Sequence, residues 1–162
     1  MFQNHEGRRV PDVTFRFRRN NEWKNVTTAE LFGGKTVVVF SLPGAFTPTC
    51  SMQHLPGFVS NAKMIKSKGV DLIVCTSVND AFVMEEWNKT QGPAGRSIMM
   101  LADGNAEFAK AMDLVMDGTG IGFGTRSQRY SAIIENGVVK ALNVEKPMKF
   151  ECSTADAILD QL

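Results

Sequence analysis

Apolar and polar residues alternate along Val13-Thr-Phe-Arg-Phe-Arg18, the two-residue period of a strand with one wet face. Arg19-Asn20-Asn21 reads as a turn and Glu22 to Val26 as the return strand, so the pattern begins with a hairpin. Thr27-Thr-Ala-Glu30 matches a capping box that starts a short helix, and Gly33-Gly34 closes it. Thr36 to Leu42 is dense in β-branched residues and predicts a buried strand. Leu55, Phe58, Val59, Ala62 and Ile65 then recur at helical spacing up to Lys68-Gly69. Val70 to Val78 is a second buried strand. Asn79 or Asp80 caps a helix carrying Phe82, Val83 and Trp87, which stops before Gln91-Gly92-Pro93. Ile98 to Ala102 gives a third strand with a helix over Asp103 to Met112 behind it. Tyr130 to Glu135 and Val138 to Val144 flank Asn136-Gly137, the pair preferred in a type I′ hairpin turn. Ser153-Thr-Ala-Asp156 opens a closing helix that presents Ala157, Ile158 and Leu162.

Strands alternating with helices and ending in an antiparallel pair predict an α/β fold, with a central mixed sheet flanked by helices. The order βαβ…ββα is the thioredoxin-like arrangement, here with an N-terminal β-hairpin extension and an inserted helix. With 162 residues, 43% of them apolar, and no repeat or Pro/Ser-rich linker, a single domain over 1–162 is expected. The 18 basic and 17 acidic residues nearly cancel, which points away from wholesale nucleic-acid binding. Arg8, Arg9, Arg16, Arg18 and Arg19 read as a solvated hairpin face. No apolar run reaches the ~20 residues of a membrane span, and Met1-Phe-Gln-Asn-His-Glu6 lacks the apolar core of a signal peptide, so a cytoplasmic protein that binds no membrane is expected. Gly118 to Gly124 has a glycine at every second position but lacks a following Lys-Ser/Thr. We read it as a flexible connector forming a mobile rim rather than as a phosphate loop.

Three cysteines, Cys50, Cys75 and Cys152, form neither a CxxC pair nor a Cys/His quartet, which argues against a disulfide framework or structural zinc. Cys50 falls where the first core strand hands over to the long helix, on the sheet edge where α/β folds bind ligands. A thiol in the first turn of a helix faces free backbone N–H groups and the positive end of the macrodipole, which favour thiolate over thiol. Pro43 and Pro48 stiffen the approach. Thr47, three residues before Cys50, can turn its hydroxyl toward the sulfur or a bound oxygen. By spacing alone, Cys50 reads equally as an inert small hydrophobe at a helix start.

The string Pro43-Gly-Ala-Phe-Thr47-Pro-Thr-Cys50 resembles the PxxxTxxC active-site motif of peroxiredoxins. With His54-Leu-Pro-Gly-Phe58, Ser77-Val-Asn-Asp-Ala-Phe-Val83 and Gly137 to Glu145, the chain is similar to the type II or fifth peroxiredoxin group over roughly Gly7 to Leu162. The resemblance implies a thiol peroxidase that reduces hydrogen peroxide and alkyl hydroperoxides without metal, haem or flavin. It would be regenerated by glutathione/glutaredoxin or thioredoxin and would act as a homodimer. Cys50 would be the peroxidatic cysteine, Thr47 the threonine that hydrogen-bonds peroxide and thiolate, Pro43 the shield of the pocket and Arg129, before Tyr130, the family's arginine.

A guanidinium beside the sulfur suits a reaction in which negative charge grows on the departing oxygen. Arg126 reads as a second contact to the site, a salt bridge or part of a solvated rim. His54 suggests a Cys/His pair only if the helix is regular there, which Pro56 makes doubtful, so we assign it mainly to packing and hydrogen bonding. The resemblance offers both Cys75 and Cys152 as possible resolving thiols. Cys75, within Leu72-Ile-Val-Cys-Thr, reads otherwise as a buried core thiol, and Cys152 as an incidental exposed one; an internal disulfide needs Cα atoms within ~7 Å. The alternative from another class is a redox sensor or thiol-regulated binding protein switched by Cys50 oxidation.

Overall fold

The computed structural model describes residues 5–162; residues 1–4, where part of the N-terminal reading falls, lie outside the described residues. Nine strands are found among them: β1 Thr14–Arg19, β2 Glu22–Thr27, β3 Thr36–Ser41, β4 Leu72–Ser77, β5 Met99–Ala102, β6 Val115–Gly118, β7 Gly124–Ser127, β8 Tyr130–Glu135 and β9 Val138–Val144. The α-helices are α1 Thr28–Phe32, α2 Leu55–Ser67, α3 Ala81–Lys89, α4 Glu107–Ala111 and α5 Ala155–Gln161. The central sheet has the order β5-β4-β3-β8-β9. Strands β3, β4 and β5 run parallel, while β8 is antiparallel to both β3 and β9. The mixed sheet read from the sequence is therefore the one that forms.

Alternation along β3 assigns the two faces. Val38 and Phe40 join α2, α3 and α5 through Leu55, Phe58, Ile65, Met84, Trp87 and Ile158. Val37 and Val39 look the other way and pack with Phe15 and Phe17 of β1, Phe32 of α1 and Phe108 of α4. The β1–β2 hairpin turns at Asn20 and Asn21, both at positive φ, and the β8–β9 hairpin at Asn136 and Gly137, also both positive, as a type I′ turn requires. Thr27 and Glu30 exchange the two bonds of a capping box at the start of α1.

Three expectations change, for the glycine-rich stretch, the fourth helix and Arg18. The glycine-rich stretch is not a loose connector: β6 and β7 pair antiparallel around it, Asp117 opposite Thr125 and Gly118 opposite Gly124. Its glycines meet steric demands, since a Cβ on Gly118 would lie 2.5 Å from Phe123 Cβ, and Gly122 and Gly124 have positive φ. The helix predicted over 103–112 shortens to α4 because Ala106 turns left-handed, and the Asp103 carboxylate accepts from the N–H groups of Phe108 and Ala109 instead. Phe82 is exposed, and the buried stripe of α3 is Ala81, Met84 and Trp87. Arg18, read as solvated, is largely buried: it pairs with Glu85 at 3.4 Å and lies against the Trp23 and Phe82 rings.

Candidate active site

At the C-terminal edge of β3 the chain runs through Leu42 to Phe46 into a widened turn, Cys50–His54, whose carbonyl of Cys50 accepts from the N–H of Leu55, five residues on. Pro56 supplies the reason: it has no N–H to close on the Met52 carbonyl, and its ring crowds that carbonyl, so the first turn opens into a π-turn before α2 becomes regular. Two contacts hold this turn. The Phe40 and Phe58 rings stack at 4.1 Å, pinning α2 on β3, and the Trp87 indole N–H donates to Ser51 Oγ at 3.0 Å. Cys50 is thereby buried, 1% exposed, at the head of α2.

Arg129 enters from the short link between β7 and β8, with its guanidinium fork facing the π-turn. Nη2 donates to Cys50 Sγ at 3.2 Å, and Nη1 lies 2.9 Å from His54 Nδ1. The arginine thus bridges two side chains four residues apart in a turn that is not a regular helix, and the Cys/His pairing considered from the sequence is realised through it rather than directly. The far nitrogen of His54, Nε2, is 3.0 Å from the Ser153 carbonyl. A carbonyl can only accept and a guanidinium can only donate, so the imidazole carries its hydrogen on Nε2 and offers a lone pair at Nδ1. Burial, with Arg129 adding to it, lowers the His54 pKa to about 3, and the ring is neutral. Phe40, Phe58 and Phe150 surround it at 4.9 to 5.6 Å.

The loop before the turn is braced from three sides. Pro43 O accepts from Arg126 Nη1 at 3.3 Å, while Arg126 Nε donates to Phe123 O. Among the described residues Arg126 therefore neither contacts the sulfur nor forms a salt bridge; it ties the β6–β7 hairpin to Pro43. Ala45 N–H donates to Asn79 Oδ1, and Thr47 Oγ donates its proton to Gly44 O at 2.7 Å. The Thr47 hydroxyl proton is thus committed to the loop, and its oxygen keeps lone pairs for a donor.

The other two cysteines differ in setting. Cys75 is wholly buried in β4, and burial, with a contribution from Cys50, raises its thiol well above the ordinary range. Cys152 is exposed in the loop after β9, with Sγ 3.5 Å from Val144 O. Partial burial and the neighbouring Glu145 push its pKa up to about 11. Glu145, quoted in the sequence only as part of a longer string, carries structure that was not foreseen. Its carboxylate accepts from the N–H groups of Glu151, Cys152 and Ser153. Burial alone would raise it, but those bonds outweigh burial and hold it below the usual carboxylate range. The only local hint is a carboxylate at a strand end followed by a loop that returns to a helix start.

Among the described residues no group of three or more His, Cys, Asp or Glu side chains could hold a metal ion, and no helix is long and apolar enough to cross a membrane.

Comparison with known proteins places this geometry. The Redoxin family model matches residues 5–159. Hybrid peroxiredoxin hyPrx5 of Haemophilus influenzae is 47% identical over 160 residues; the match takes in 97% of the chain, which spans 66% of that longer protein. Peroxiredoxin-2B of Arabidopsis thaliana is 44% identical, with 94% of each chain covered. The crystal structure of reduced Prx3 from Vibrio vulnificus in complex with H2O2 superposes with a TM-score of 0.93 at 50% identity, covering 98% of this chain and 99% of that one. The buried thiol under a guanidinium, on a thioredoxin-like sheet, is thus that of a chain belonging to the Redoxin family and, within it, to the peroxiredoxins, the thiol-dependent peroxidases.

Proposed function

We propose that Cys50 is the peroxidatic thiol and that Arg129, Thr47 and Pro43 complete its site within one domain. The observation that carries this reading is the 3.2 Å contact from Arg129 Nη2 to the buried Cys50 sulfur. A fixed cation there faces the sulfur that must carry negative charge to attack, and in a buried site it is little screened by solvent. The thiolate attacks one oxygen of the peroxide in line with the O–O bond. An S–O bond forms, the O–O bond breaks, and the electron pair leaves on the distal oxygen, which takes up a proton to become water or an alcohol. Cys50 is left as sulfenic acid.

The Arg129 fork faces the charge as it moves from sulfur to oxygen. Thr47, whose proton is held by Gly44 O, accepts a hydrogen bond from the peroxide O–H and so orients it. Pro43, braced by Arg126, walls the entrance. His54 acts as a neutral acceptor that fixes the guanidinium; as a ring that stays unprotonated, it adds no competing cation.

Regeneration by an external thiol, glutathione/glutaredoxin or thioredoxin, is supported by the state of the two internal ones. A thiol with a pKa near 11 is ionised only about one part in 10⁴ at pH 7, so Cys152 is a slow nucleophile while Glu145 stays beside it, and Cys75 is both buried and protonated. Phe46 and Met52, exposed on either side of Cys50 in sequence, offer apolar surface for a homodimer in the cytoplasm.

The test is peroxide turnover with each donor, together with mass spectrometry after one equivalent of peroxide in wild type, Cys152→Ser and Cys75→Ala. Many turnovers with an external donor and a mixed adduct on Cys50 support the reading. A single stoichiometric oxidation with every donor defeats it, and an internal disulfide that vanishes in one variant identifies that cysteine as the resolving thiol.

A further inference from the structure

Four side chains and one backbone carbonyl form a continuous hydrogen-bonded line from the C-terminal loop to the sulfur. Glu145 takes the N–H of Ser153 at 2.9 Å; the Ser153 carbonyl takes Nε2–H of His54 at 3.0 Å; His54 Nδ1 takes Arg129 Nη1 at 2.9 Å; and Arg129 Nη2 reaches Cys50 Sγ at 3.2 Å. A second link closes the circuit, because the N–H of Glu145 donates to the carbonyl of Arg129 at 2.9 Å. Glu145, Ser153 and His54 are 5%, 0% and 1% exposed, so water cannot readily replace a lost member of the line.

The Ser153 carbonyl is located by the segments on its two sides. On one side Thr154 caps α5 through Ala157 N–H. On the other, the loop from Lys146 to Cys152 passes through Met148, which is fully exposed with φ 66°, and is gathered by the Glu145 carboxylate accepting from three consecutive N–H groups. Removing that anchor frees the carbonyl that sets the imidazole tautomer. A ring with its hydrogen on Nδ1 cannot accept from Arg129, and the guanidinium then loses one of the two bonds that aim it at the sulfur.

We propose that Glu145 is a positioning residue for the peroxidase reaction: through the 151–153 backbone and the His54 ring it sets the orientation of Arg129 over Cys50, although it touches neither sulfur nor peroxide. The inference rests on the reading of Cys50 as the attacking thiol.

Glu145→Gln tests it: the carboxylate charge that gathers the three N–H groups is removed, and with the amide oxygen at the Oε1 place, which accepts from all three, the NH2 is set against the Glu151 N–H that Oε2 now accepts. The readouts are the pH profile of Cys50 alkylation, measured in a Cys75→Ala/Cys152→Ser background, and the second-order rate with hydrogen peroxide. Folding is checked by near-ultraviolet circular dichroism. The groups facing Cys50 are the Arg129 guanidinium, with neutral His54 behind it, and the Cys75 thiol, which the background removes. The expected result is an alkylation profile moved about one unit to higher pH and a peroxide rate lowered by ten- to a hundredfold. In ¹⁵N spectra His54 should pass from pure Nε2–H to a tautomer mixture. Glu145→Asp should fall between the two, and Lys149→Gln, a charge change at an exposed side chain of the same loop, should match the parent.

A folded Glu145→Gln or Glu145→Asp protein with the parent profile and rate overturns the inference, and failure of both to fold overturns it too, by making the residue a requirement of the fold. Because alkylation reads the sulfur without turnover, these outcomes are separate from failure of the Cys50 reading, which would show as peroxidase activity surviving in Cys50→Ser.

Discussion

Acidification should expose the cost of keeping His54 neutral. In the unfolded chain an imidazole titrates at 6.5; in the folded protein burial and Arg129 lower it to about 3. Between those values the unfolded state binds a proton that the folded state refuses, so the contribution is intact above pH 6.5 and is lost as pH falls toward 3. At pH 5.0 the unfolded state gains RT ln(1 + 10^1.5), about 2 kcal/mol, against less than ~0.1 kcal/mol at pH 7.5. The result is insensitive to the folded value: a folded pKa anywhere below about 4 gives nearly the same number at pH 5.

The assay is urea unfolding at pH 7.5 and 5.0 for wild type and His54→Gln, whose amide can still donate to the Ser153 carbonyl. Other groups titrate in both proteins, Glu145 among them, and cancel in the double difference. Wild type should lose about 2 kcal/mol more than the variant on acidification. Equal losses, or a His54 ring found cationic at pH 5 by ¹⁵N chemical shift, would refute the assignment of a neutral, doubly hydrogen-bonded imidazole.

Three further outcomes follow from the same geometry. Arg129→Lys keeps the charge but loses the fork that serves Cys50 and His54 together, and at ~1.5–3 kcal/mol for a charge-assisted bond the peroxide rate should drop roughly 10- to 150-fold, measured by stopped-flow mixing of the reduced protein with hydrogen peroxide. Gly44→Ala would place a Cβ 2.9 Å from Arg126 Nη1 and 3.2 Å from Thr47 Cγ2. The guanidinium can swing away, so the expected change is loss of the Pro43 contact, about 1 kcal/mol less stability by denaturant titration and a slower peroxide step; full stability and rate would show that Arg126 braces nothing. Trp87→Phe removes the N–H bonded to Ser51 Oγ under the π-turn and should cost about 1–3 kcal/mol in the same titration.

The parts of this fold visible in the sequence are those written in short-range patterns. Strand alternation, the Thr27/Glu30 capping box and the Asn136-Gly137 turn each involve residues a few positions apart, and each formed as read. Where local reading erred, a longer contact had intervened. Arg18 looks like one more basic residue on a wet strand until Glu85 and Phe82 of α3 are brought to it. Those contacts join residues 67 and 64 positions apart, out of reach of any strand pattern. The alternating glycines suggested looseness because composition records freedom of φ without recording whether two strands will use it.

The same division holds within the site. Cys50, Thr47 and Pro43 lie within eight consecutive residues, and a motif can display them; Arg129 was assigned by resemblance and is found at the sulfur. The line behind it is a different matter. His54 meets Ser153 across 99 residues and Arg129 across 75, and its tautomer is decided by a carbonyl, a group every residue has and no sequence distinguishes. Glu145 is less visible still, because it works mainly on backbone N–H groups, with the Cys152 thiol as its side-chain partner. A carboxylate gathering a loop and a carbonyl fixing a ring are interactions of side chain with main chain. Substitutions of the loop residues need not disturb them so long as the backbone path is kept, so the 146–152 segment can vary in sequence, save at Phe150 whose ring lies against both His54 and Arg129, while the orientation it imposes on Arg129 stays the same.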